Sequence, residues 1–387
     1  AIPTIRVLIR LSEGPQSSLQ FGGARASFGF PWMSSVESTY PCGMQVQSKR
    51  FDRQVRFSAL GTGGQERLQN SRVLLVGCGA LGGILAQSLT RAGVGELLLV
   101  DRDIVEESNL PRQVLFEDRH AQEGALKVVA GLETLQRIGG PTRFETHAQH
   151  LDADTIDDLA EGCDLILDGT DNLGTRYLVN DWCVQNNVPW IYGGVVGSGG
   201  LVMPILPGVG PCLRCLFDSP PPTGTLETCD TAGVILPAVG AIASMQAGLA
   251  LRLLAQGPAG HADFPTALLE LDVWSASLRR LAIGRQEDCA CCGARDFKWL
   301  DEPQGRRATI LCGRNAVQVR GLATAPDLDL LQTRLDPLAS STRRAGPILR
   351  CEIETYVFTI FADGRALIEG LDDVERAIAL YDRYVGS

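Results

Sequence analysis

Five side chains on predicted loops or helix starts have the chemistry that a bound triphosphate requires. They are Arg53, Asn109, Arg112, Lys127 and Asp171. Arginine, lysine and asparagine donate hydrogen bonds to phosphate oxygens, and a carboxylate is a hard ligand for the accompanying Mg²⁺. Simpler explanations remain open for most of them. Asn109 can shape a turn, both arginines can be solvated, and Lys127 can extend along an apolar helix face.

Two acids follow one predicted buried strand. The predicted buried strand Cys163–Asp168 ends at Asp168, and Asp171 follows shortly after it. Open α/β sheets bind their ligands at the carboxyl ends of the strands, so both acids are candidates for a Mg²⁺ site. The alternative is structural, because Asp171 or Asn172 can cap the helix that we predict as far as residue 186.

Two Cys-x-x-Cys pairs predict a zinc site. The chain contains 12 cysteines within an enzyme-like composition. This favours a reducing compartment, with thiols that bind metal or react, over a disulfide scaffold. Two thiolates from each pair suit tetrahedral zinc, although Cys291 could replace one of its neighbours. The predicted ligands are Cys212, Cys215, Cys289 and Cys292.

A glycine-rich turn organises the first half of the chain. The apolar run Val73–Val76 leads into the stretch Gly77–Gly82, a predicted helix follows, and a second apolar run ends at Asp101. Glycines let the backbone approach a phosphate, the helix N-terminus offers N–H groups to the anion, and the acid can bind a ribose hydroxyl. The turn therefore predicts nucleotide binding. The residues expected to take part are Gly77, Gly79, Ala80, Gly82, Asp101 and, in the polar loop that follows, Asp103.

Alternating apolar strands and helices predict an α/β fold. We expect a Rossmann-like nucleotide-binding fold whose sheet is mixed and mostly parallel. Gly197–Leu206 is predicted to pair with Pro189–Val196 as a hairpin, which makes that part of the sheet antiparallel. The uncharged run 231–251 contains Pro237, Gln246 and many small residues, so a buried helix against the sheet is favoured over a membrane span.

The two ends of the chain differ from its centre. Residues 1–45 are rich in Gly, Ser and Pro, and we expect a disordered N-terminal extension there. A translated segment upstream of a start near Met44 and a transit peptide are the alternatives. Residues 305–387 are predicted to form a small α+β domain, interpreted as a docking or dimer-supporting module. The net charge of −10 argues against nucleic acid as a partner, and neither a signal peptide nor a membrane partner is expected.

Nine stretches in order resemble the ThiF/MoeB group of ubiquitin-activating-like adenylyltransferases. They lie between residues 50 and 293, inside a predicted catalytic domain of residues 46–300. The stretches are Arg50-Phe51-Asp52-Arg53-Gln54, Gly77–Gly82, Asp101–Asp103, Ser108–Gln113, Lys127, Thr170-Asp171-Asn172, Cys212-x-x-Cys215, Thr228–Val234 and Cys289-x-x-Cys292-Gly293. Pro111 departs from the family, in which Gln or Asn is common at this position.

The resemblance implies a reaction. The C-terminal glycine carboxylate of a ubiquitin-like sulfur carrier, similar to ThiS or MoaD and ending in Gly-Gly, attacks the α-phosphate of MgATP. The products are an acyl-adenylate and pyrophosphate, and sulfur transfer for thiamine, molybdopterin or a related product follows. A cytoplasmic homodimer with ATP, Mg²⁺ and Zn²⁺ is implied. The implied contacts are Asp101 with the ribose, Asn109, Arg112 and Lys127 with the phosphates, Asp171 with Mg²⁺, and Arg53 with the phosphates bound to the neighbouring subunit.

The resemblance gives Cys229 a covalent role, the capture of the activated carrier. Asp230–Gly233 is expected to open the uncharged helix, so the Cys229 thiol would lie near a helix N-terminus that favours the thiolate. The alternative is a small residue packed under the loop, since free cysteines are usually buried and inert.

Two other functions stay open. An NAD-dependent oxidoreductase would share the glycine turn and the acid after the second strand. A non-catalytic scaffold could keep the fold and bind a ubiquitin-like protein, although the charged residues that such a scaffold would lose are present here. Release of pyrophosphate separates the adenylyltransferase from both alternatives.

Overall fold

Two β-sheets organise the part of the chain that the structure describes. The computed structural model describes residues 49–220, 232–301, 308–311, 315–320 and 326–385. The expected N-terminal extension and Cys229 therefore lie outside the described residues. An eight-stranded sheet is followed in the chain by a six-stranded one.

The larger sheet is mixed, as predicted. Its order is β3-β2-β1-β4-β5-β6-β7-β8, parallel from β3 to β5 and antiparallel from β5 to β8. The parallel strands β1, β2, β4 and β5 are mostly buried, and helices connect the successive parallel strands. Strands β5 and β6 form the expected hairpin. The strands are β1 Arg72–Val76, β2 Glu96–Val100, β3 Arg143–His147, β4 Leu165–Asp168, β5 Trp190–Val196, β6 Gly199–Ile205, β7 Leu268–Asp272 and β8 Ser277–Leu281.

Helices cover both faces of the larger sheet. One apolar cluster joins a face of the sheet to α3, α5 and α9, and a second cluster joins the other face to α6, α7 and α8. The helices are α1 Asp52–Val55, α2 Gly61–Asn70, α3 Ala80–Ala92, α4 Asp118–Glu123, α5 Lys127–Ile138, α6 Ile156–Ala160, α7 Leu173–Asn186, α8 Leu213–Leu216 and α9 Leu236–Gln256.

Helix α9 is the uncharged helix that the sequence predicts. Within the described residues it is the one helix long and apolar enough to span a membrane, and it packs against the sheet instead. Gln246 is fully buried, and its Nε2 donates to the carbonyl oxygens of Asp168 (2.9 Å) and Ile191 (3.3 Å). A Cβ on Gly193 would lie 2.3 Å from the Gln246 side chain, so glycine is needed there for the helix to approach. Burial against the sheet is therefore confirmed.

The smaller sheet is antiparallel throughout, in the order β11-β12-β13-β14-β10-β9. A tight turn joins β13 to β14, with Gly364 in the left-handed region at a φ of +88°. Two helices cover one face of this sheet and bury an apolar cluster of their own. The elements are β9 Ala308–Leu311, β10 Ala316–Val319, α10 Leu328–Leu335, β11 Ser341–Ala345, β12 Ile348–Ile353, β13 Tyr356–Phe361, β14 Ala366–Glu369 and α11 Val374–Tyr384. The predicted domain boundaries stay predictions.

Candidate functional site

The turn between β1 and α3 requires glycine. Gly77 has a φ of +91°, and a Cβ there would lie 2.6 Å from the carbonyl oxygen of Gly169. A Cβ on Gly82 would lie 1.9 Å from the carbonyl oxygen of Gly77. Gly79 precedes the first helical residue, Ala80. Because the turn packs so tightly, the N-terminus of α3 opens at the carboxyl edge of the sheet, where its N–H groups suit an anion.

Asp101 is held in place by two backbone groups. Its Oδ2 accepts from the N–H of Cys78 at 2.7 Å, and its Oδ1 accepts from the N–H of Asp103 at 2.8 Å. Burial raises the pKa of Asp101 above its ordinary value, while the Lys127 ammonium acts in the opposite direction. A fixed carboxylate beside the glycine turn has the geometry expected for a ribose-binding acid.

Lys127 is buried rather than extended along the surface. It begins α5, its side chain is about 4% exposed, and its Nζ lies 3.0 Å from Oδ2 of Asp103. The backbone N–H of Lys127 also donates to the carbonyl oxygen of Asp103, at 2.9 Å. This excludes the alternative in which the side chain lies along an apolar helix face with its ammonium in solvent. A buried ammonium next to the glycine turn is suited to an anionic ligand.

Asn109 and Arg112 both shape the loop that follows β2. Asn109 is buried, and its Oδ1 accepts from the N–H of Glu106 at 3.1 Å, closing a short 3₁₀ turn over Glu107–Asn109. Arg112 donates from Nη1 to the carbonyl oxygen of Ser108 at 2.6 Å and keeps part of its guanidinium exposed. Asn109 therefore does shape the turn, as the simpler explanation predicts. Its Nδ2 group could still contact a ligand.

The two acids after β4 have different surroundings. Asp168 is 3% exposed, and its Oδ2 accepts from Arg176 Nε at 2.8 Å. Its Oδ1 accepts from both the N–H and the hydroxyl of Thr170 at 2.9 Å. Both oxygens of Asp168 thus accept hydrogen bonds from Arg176 and Thr170, so Asp171 is the acid that we retain for the Mg²⁺ prediction. Asp171 is exposed, and Asn172 rather than Asp171 caps α7.

Arg53 lies on α1, on the surface. Within the described residues its side chain makes neither a hydrogen bond nor an ion pair, so no such bond joins it to the residues after β2 or β4. The neighbouring Gln54 fixes α1, since its Nε2 donates to Gln65 (2.7 Å) and to the carbonyl oxygen of Ala92 (2.9 Å). The structure therefore does not bring Arg53 together with Lys127 or Asp171 in one chain.

The four predicted cysteines converge. All four Sγ atoms lie within 4.8 Å of one another. Three of the Sγ–Sγ distances are 3.6 Å for Cys212–Cys289, 3.4 Å for Cys215–Cys292 and 3.9 Å for Cys212–Cys215. Zinc–sulfur bonds of about 2.3 Å in a tetrahedron put sulfurs about 3.8 Å apart, so these four thiols fit zinc. The donor set and its closure by four protein ligands are typical of a structural site.

The surroundings of the cysteine cluster exclude Cys291 from it. Asn180 donates from Nδ2 to the Cys291 Sγ at 3.3 Å and accepts from the N–H of Leu213 at 2.8 Å. The N–H of Gln286 points at the Cys215 Sγ, 3.5 Å away. Helix α7 thus holds both Cys-x-x-Cys pairs in the second apolar cluster, on the face of the sheet opposite α3 and α5.

The expectation for the helix that follows Cys229 is wrong. Gly233 has a φ of +74°, Val234 forms a bridge with Gly197, and α9 begins only at Leu236. Asp230–Gly233 therefore does not open α9, because the chain first pairs with the end of β5. Cys229 itself lies outside the described residues, so a helix N-terminus near its thiol stays a prediction.

Sequence reasoning missed two residues of the smaller sheet that face this site. Gln318 and Thr359 line a small cavity together with Asp103, Asn109 and Lys127. The available signal was local: each is the one polar residue in the middle of an otherwise apolar strand, β10 or β13. Arg176 was also missed as the partner of Asp168.

Comparison with known proteins decides the family. The model of the ThiF family matches residues 51–292, well over half of the chain. The chain belongs to the ThiF family. The match spans the glycine turn, the loop after β2, the acids after β4 and both cysteine pairs of this ThiF-family protein.

Named relatives of this ThiF-family protein are adenylyltransferases. The sulfur carrier protein ThiS adenylyltransferase of Bacillus subtilis is 37% identical over 346 residues, covering 87% of this chain and 99% of that protein. The sulfur carrier protein adenylyltransferase of Thermus thermophilus is 38% identical, and the alignment covers 66% of this chain and 92% of that protein. The adenylyltransferase and sulfurtransferase MOCS3 of Sus scrofa is 40% identical, and this chain spans about half (54%) of its length.

Solved structures support the fold alone. Escherichia coli MccB in complex with ATP has a TM-score of 0.54 at 21% identity, covering 64% of this chain and 75% of that chain. A crystal structure of PaaA has a TM-score of 0.51 at 22% identity, and the match covers 64% of this chain and 78% of that chain. The mixed α/β sheet of this ThiF-family protein is therefore a shared architecture.

Proposed function

We propose that this protein is an ATP-dependent adenylyltransferase that activates the C-terminal glycine of a ubiquitin-like sulfur carrier. The observation that carries the proposal is one cluster at the carboxyl edge of the sheet. It contains the glycine turn, the fixed Asp101 carboxylate and the buried Lys127 ammonium. Alignment with a ThiS adenylyltransferase over almost the whole length of that relative supports the substrate class.

In the proposed reaction a carboxylate oxygen of the carrier attacks the α-phosphorus of ATP. The new bond joins that oxygen to phosphorus, the bond to the β-phosphate oxygen breaks, and pyrophosphate leaves with the electron pair. The protein contributes positioning and charge neutralisation. The roles that we assign are ribose binding to Asp101, phosphate binding to Asn109, Arg112 and Lys127, and cleft lining to Gly77, Gly79, Ala80, Gly82 and Asp103.

Further assignments belong to the proposal. Asp171 would hold a Mg²⁺ ion, which would neutralise phosphate charge. The cysteine cluster would hold a structural zinc. Arg53 would act on the phosphates of a neighbouring subunit in a homodimer, which agrees with its position on the surface of α1. Cys229 would capture the activated carrier, and we place the protein in the cytoplasm.

The test is carrier-dependent exchange of labelled pyrophosphate into ATP. A ThiS-like carrier ending in Gly-Gly should support exchange, and the same carrier without its last glycine should not. The oxidoreductase alternative predicts NADH binding with no exchange. Exchange that is absent for every Gly-Gly carrier, together with tight NADH binding, would contradict the proposal.

A further inference from the structure

The smaller sheet presents two chemically different faces. Alternate residues of its central strands, among them Val317, Phe358 and Ile368, point into the apolar cluster beneath α10 and α11. The residues between them point the other way. Gln318 on β10 and Thr359 on β13 both pair with Leu367 of β14, so the three side chains form one row across the sheet.

This second face closes over the loop after β2. The row lines a small cavity whose other side is formed by Asp103, Asn109 and Lys127. Its water-accessible volume is ≈ 20 Å³. A single water needs about 10–15 Å³ on this measure, so the cavity suits water and is far too small for a nucleotide.

Gln318 and Thr359 are buried without a protein partner. The two residues are 4% and 2% exposed, and within the described residues no hydrogen bond of either side chain to the protein is found. Neither belongs to the side chains whose polar atoms are sealed off without a partner, and both line the cavity. A buried amide or hydroxyl that lacks a partner costs free energy, and an apolar residue of similar size would avoid that cost. Their polar groups therefore point to a hydrogen-bond partner inside the cavity, where Lys127 carries donors and Asp103 carries acceptors.

Ion pairs hold the sheet in position above the loop. Arg350 of β12 lies 3.3 Å from Glu369 of β14 and 3.7 Å from Glu106 in the loop. On the far side, Arg320 pairs with Asp154 at 2.7 Å, and Arg365 donates to the carbonyl oxygen of Ala148. The smaller sheet thus contacts both the loop after β2 and the segment after β3.

We propose that Gln318 and Thr359 are positioning residues for the nucleotide site. Through water in the cavity, they hydrogen-bond to the Lys127–Asp103 pair and hold the Lys127 ammonium in the direction of the phosphates. The smaller sheet is then part of the nucleotide site in addition to any docking role. This inference rests on the proposed function.

Two near-isosteric variants test it, Thr359→Val and Gln318→Met. Each should raise the Kd for ATP about tenfold, which is the value of one lost hydrogen bond to a charged group. The KM for ATP should rise more than kcat falls. Thr359→Ser keeps the hydroxyl, so its affinity for ATP should equal that of the wild type. Thr342→Val on β11 and Gln332→Met on α10 are the matched controls, because neither residue lines the cavity.

A second measurement follows Lys127 directly. The chain contains only three lysines, Lys49, Lys127 and Lys298, so [ε-¹³C]lysine gives three resolvable signals. Thr359→Val and Gln318→Met should move the Lys127 signal and leave the other two unchanged. In combination with Lys127→Met, neither variant should weaken ATP binding further, since a residue that acts through Lys127 is not additive with it.

The outcomes separate this inference from the proposed function. If both variants bind ATP as the wild type does and leave the Lys127 signal in place, the positioning role is wrong although adenylation stands. If Tm falls in both variants while ATP affinity is unchanged, Gln318 and Thr359 serve stability only. If the wild-type protein does not bind ATP, both proposals fail.

Discussion

Arg176 Nε donates to Asp168 Oδ2 over 2.8 Å at the end of β4, and both residues are at least nine-tenths buried. The Arg176 guanidinium also donates to the carbonyl oxygens of Thr170 (2.6 Å) and Gly193 (2.9 Å). The pair therefore ties β4 to β5 directly beneath the candidate site. It also leaves Asp171 as the exposed acid at this edge of the sheet.

Asp168→Asn should destabilise the protein by about 3–5 kcal/mol, because it leaves the Arg176 charge buried without its partner. Urea unfolding followed by circular dichroism measures the change. Asp158→Asn, on the exposed side of α6, is the control and should stay within about 0.5 kcal/mol of wild type. Equal stability of the two variants would show that the buried pair contributes little.

Asp171→Asn should have the opposite profile. Its side chain is exposed, so the free energy of unfolding should change by less than about 0.5 kcal/mol. Carrier-dependent pyrophosphate exchange should fall about a hundredfold or more, because a neutral amide binds Mg²⁺ far more weakly than a carboxylate. Added Mg²⁺ should restore part of the activity. Wild-type exchange in this variant would remove Asp171 from the metal site.

The sequence predicted the parallel half of the larger sheet well because its strands are buried on both faces. Val73–Val76 and the run that ends at Asp168 were predicted as buried strands, and they form β1 and β4. The strands β8 and β11 were missed, since each is an edge strand with a mostly exposed, charged sequence. Such strands form because the adjacent strand of the sheet offers backbone hydrogen bonds. The residues of the edge strand itself do not show this pairing.

For the candidate site, the residue types could be predicted from the sequence, but their hydrogen-bond partners could not. Helix capping by Asn172 and the saturation of Asp168 depend on Thr175 and Arg176, one turn further along α7. The cavity residues Gln318 and Thr359 lie far from Lys127 in the chain, and only the docking of the second sheet brings them together. In the sequence, the only sign of such non-local contacts is a polar residue within an otherwise apolar strand.

Zinc content tests the cysteine cluster. Metal analysis should find about one zinc per chain, and Cys212→Ser should lose most of it together with stability, since a closed site contributes to folding. Cys291→Ser is the matched control. It changes a buried neighbour that bonds to Asn180 and should keep its zinc. Loss of zinc in the control, or its retention in Cys212→Ser, would show that the ligand set is wrong.

A shared site in a dimer can be tested by mixing two inactive variants, Arg53→Ala and Asp171→Asn. In a twofold dimer each hybrid has one site with both native residues, so an equal mixture should recover about a quarter of the wild-type activity. Arg56→Ala is the control for Arg53→Ala. It breaks an exposed pair with Asp52 on the same helix and should be active alone. No recovery after proven subunit exchange would place Arg53 outside a shared site.

Cys229 is the last residue to test. The nine described cysteines are buried or, for Cys292, partly buried, and four of them form the cysteine cluster. In the step that we predict, the Cys229 thiolate attacks the carbonyl carbon of the acyl-adenylate. A carbon–sulfur bond forms, the bond to the phosphate oxygen breaks, and AMP leaves. The resulting thioester should be cleaved by excess thiol and should be visible by mass spectrometry.

Cys229→Ala should therefore keep pyrophosphate exchange near the wild-type rate, because exchange ends at the adenylate. The same variant should lose the thiol-sensitive adduct and should slow the formation of carrier thiocarboxylate. Cys351→Ala, buried in the smaller sheet, is the control and should keep both. Prior adenylation of the carrier should protect Cys229 from alkylation. If thiocarboxylate forms at the wild-type rate in Cys229→Ala, Cys229 has only a packing role and sulfur reaches the carrier without a covalent link to this residue.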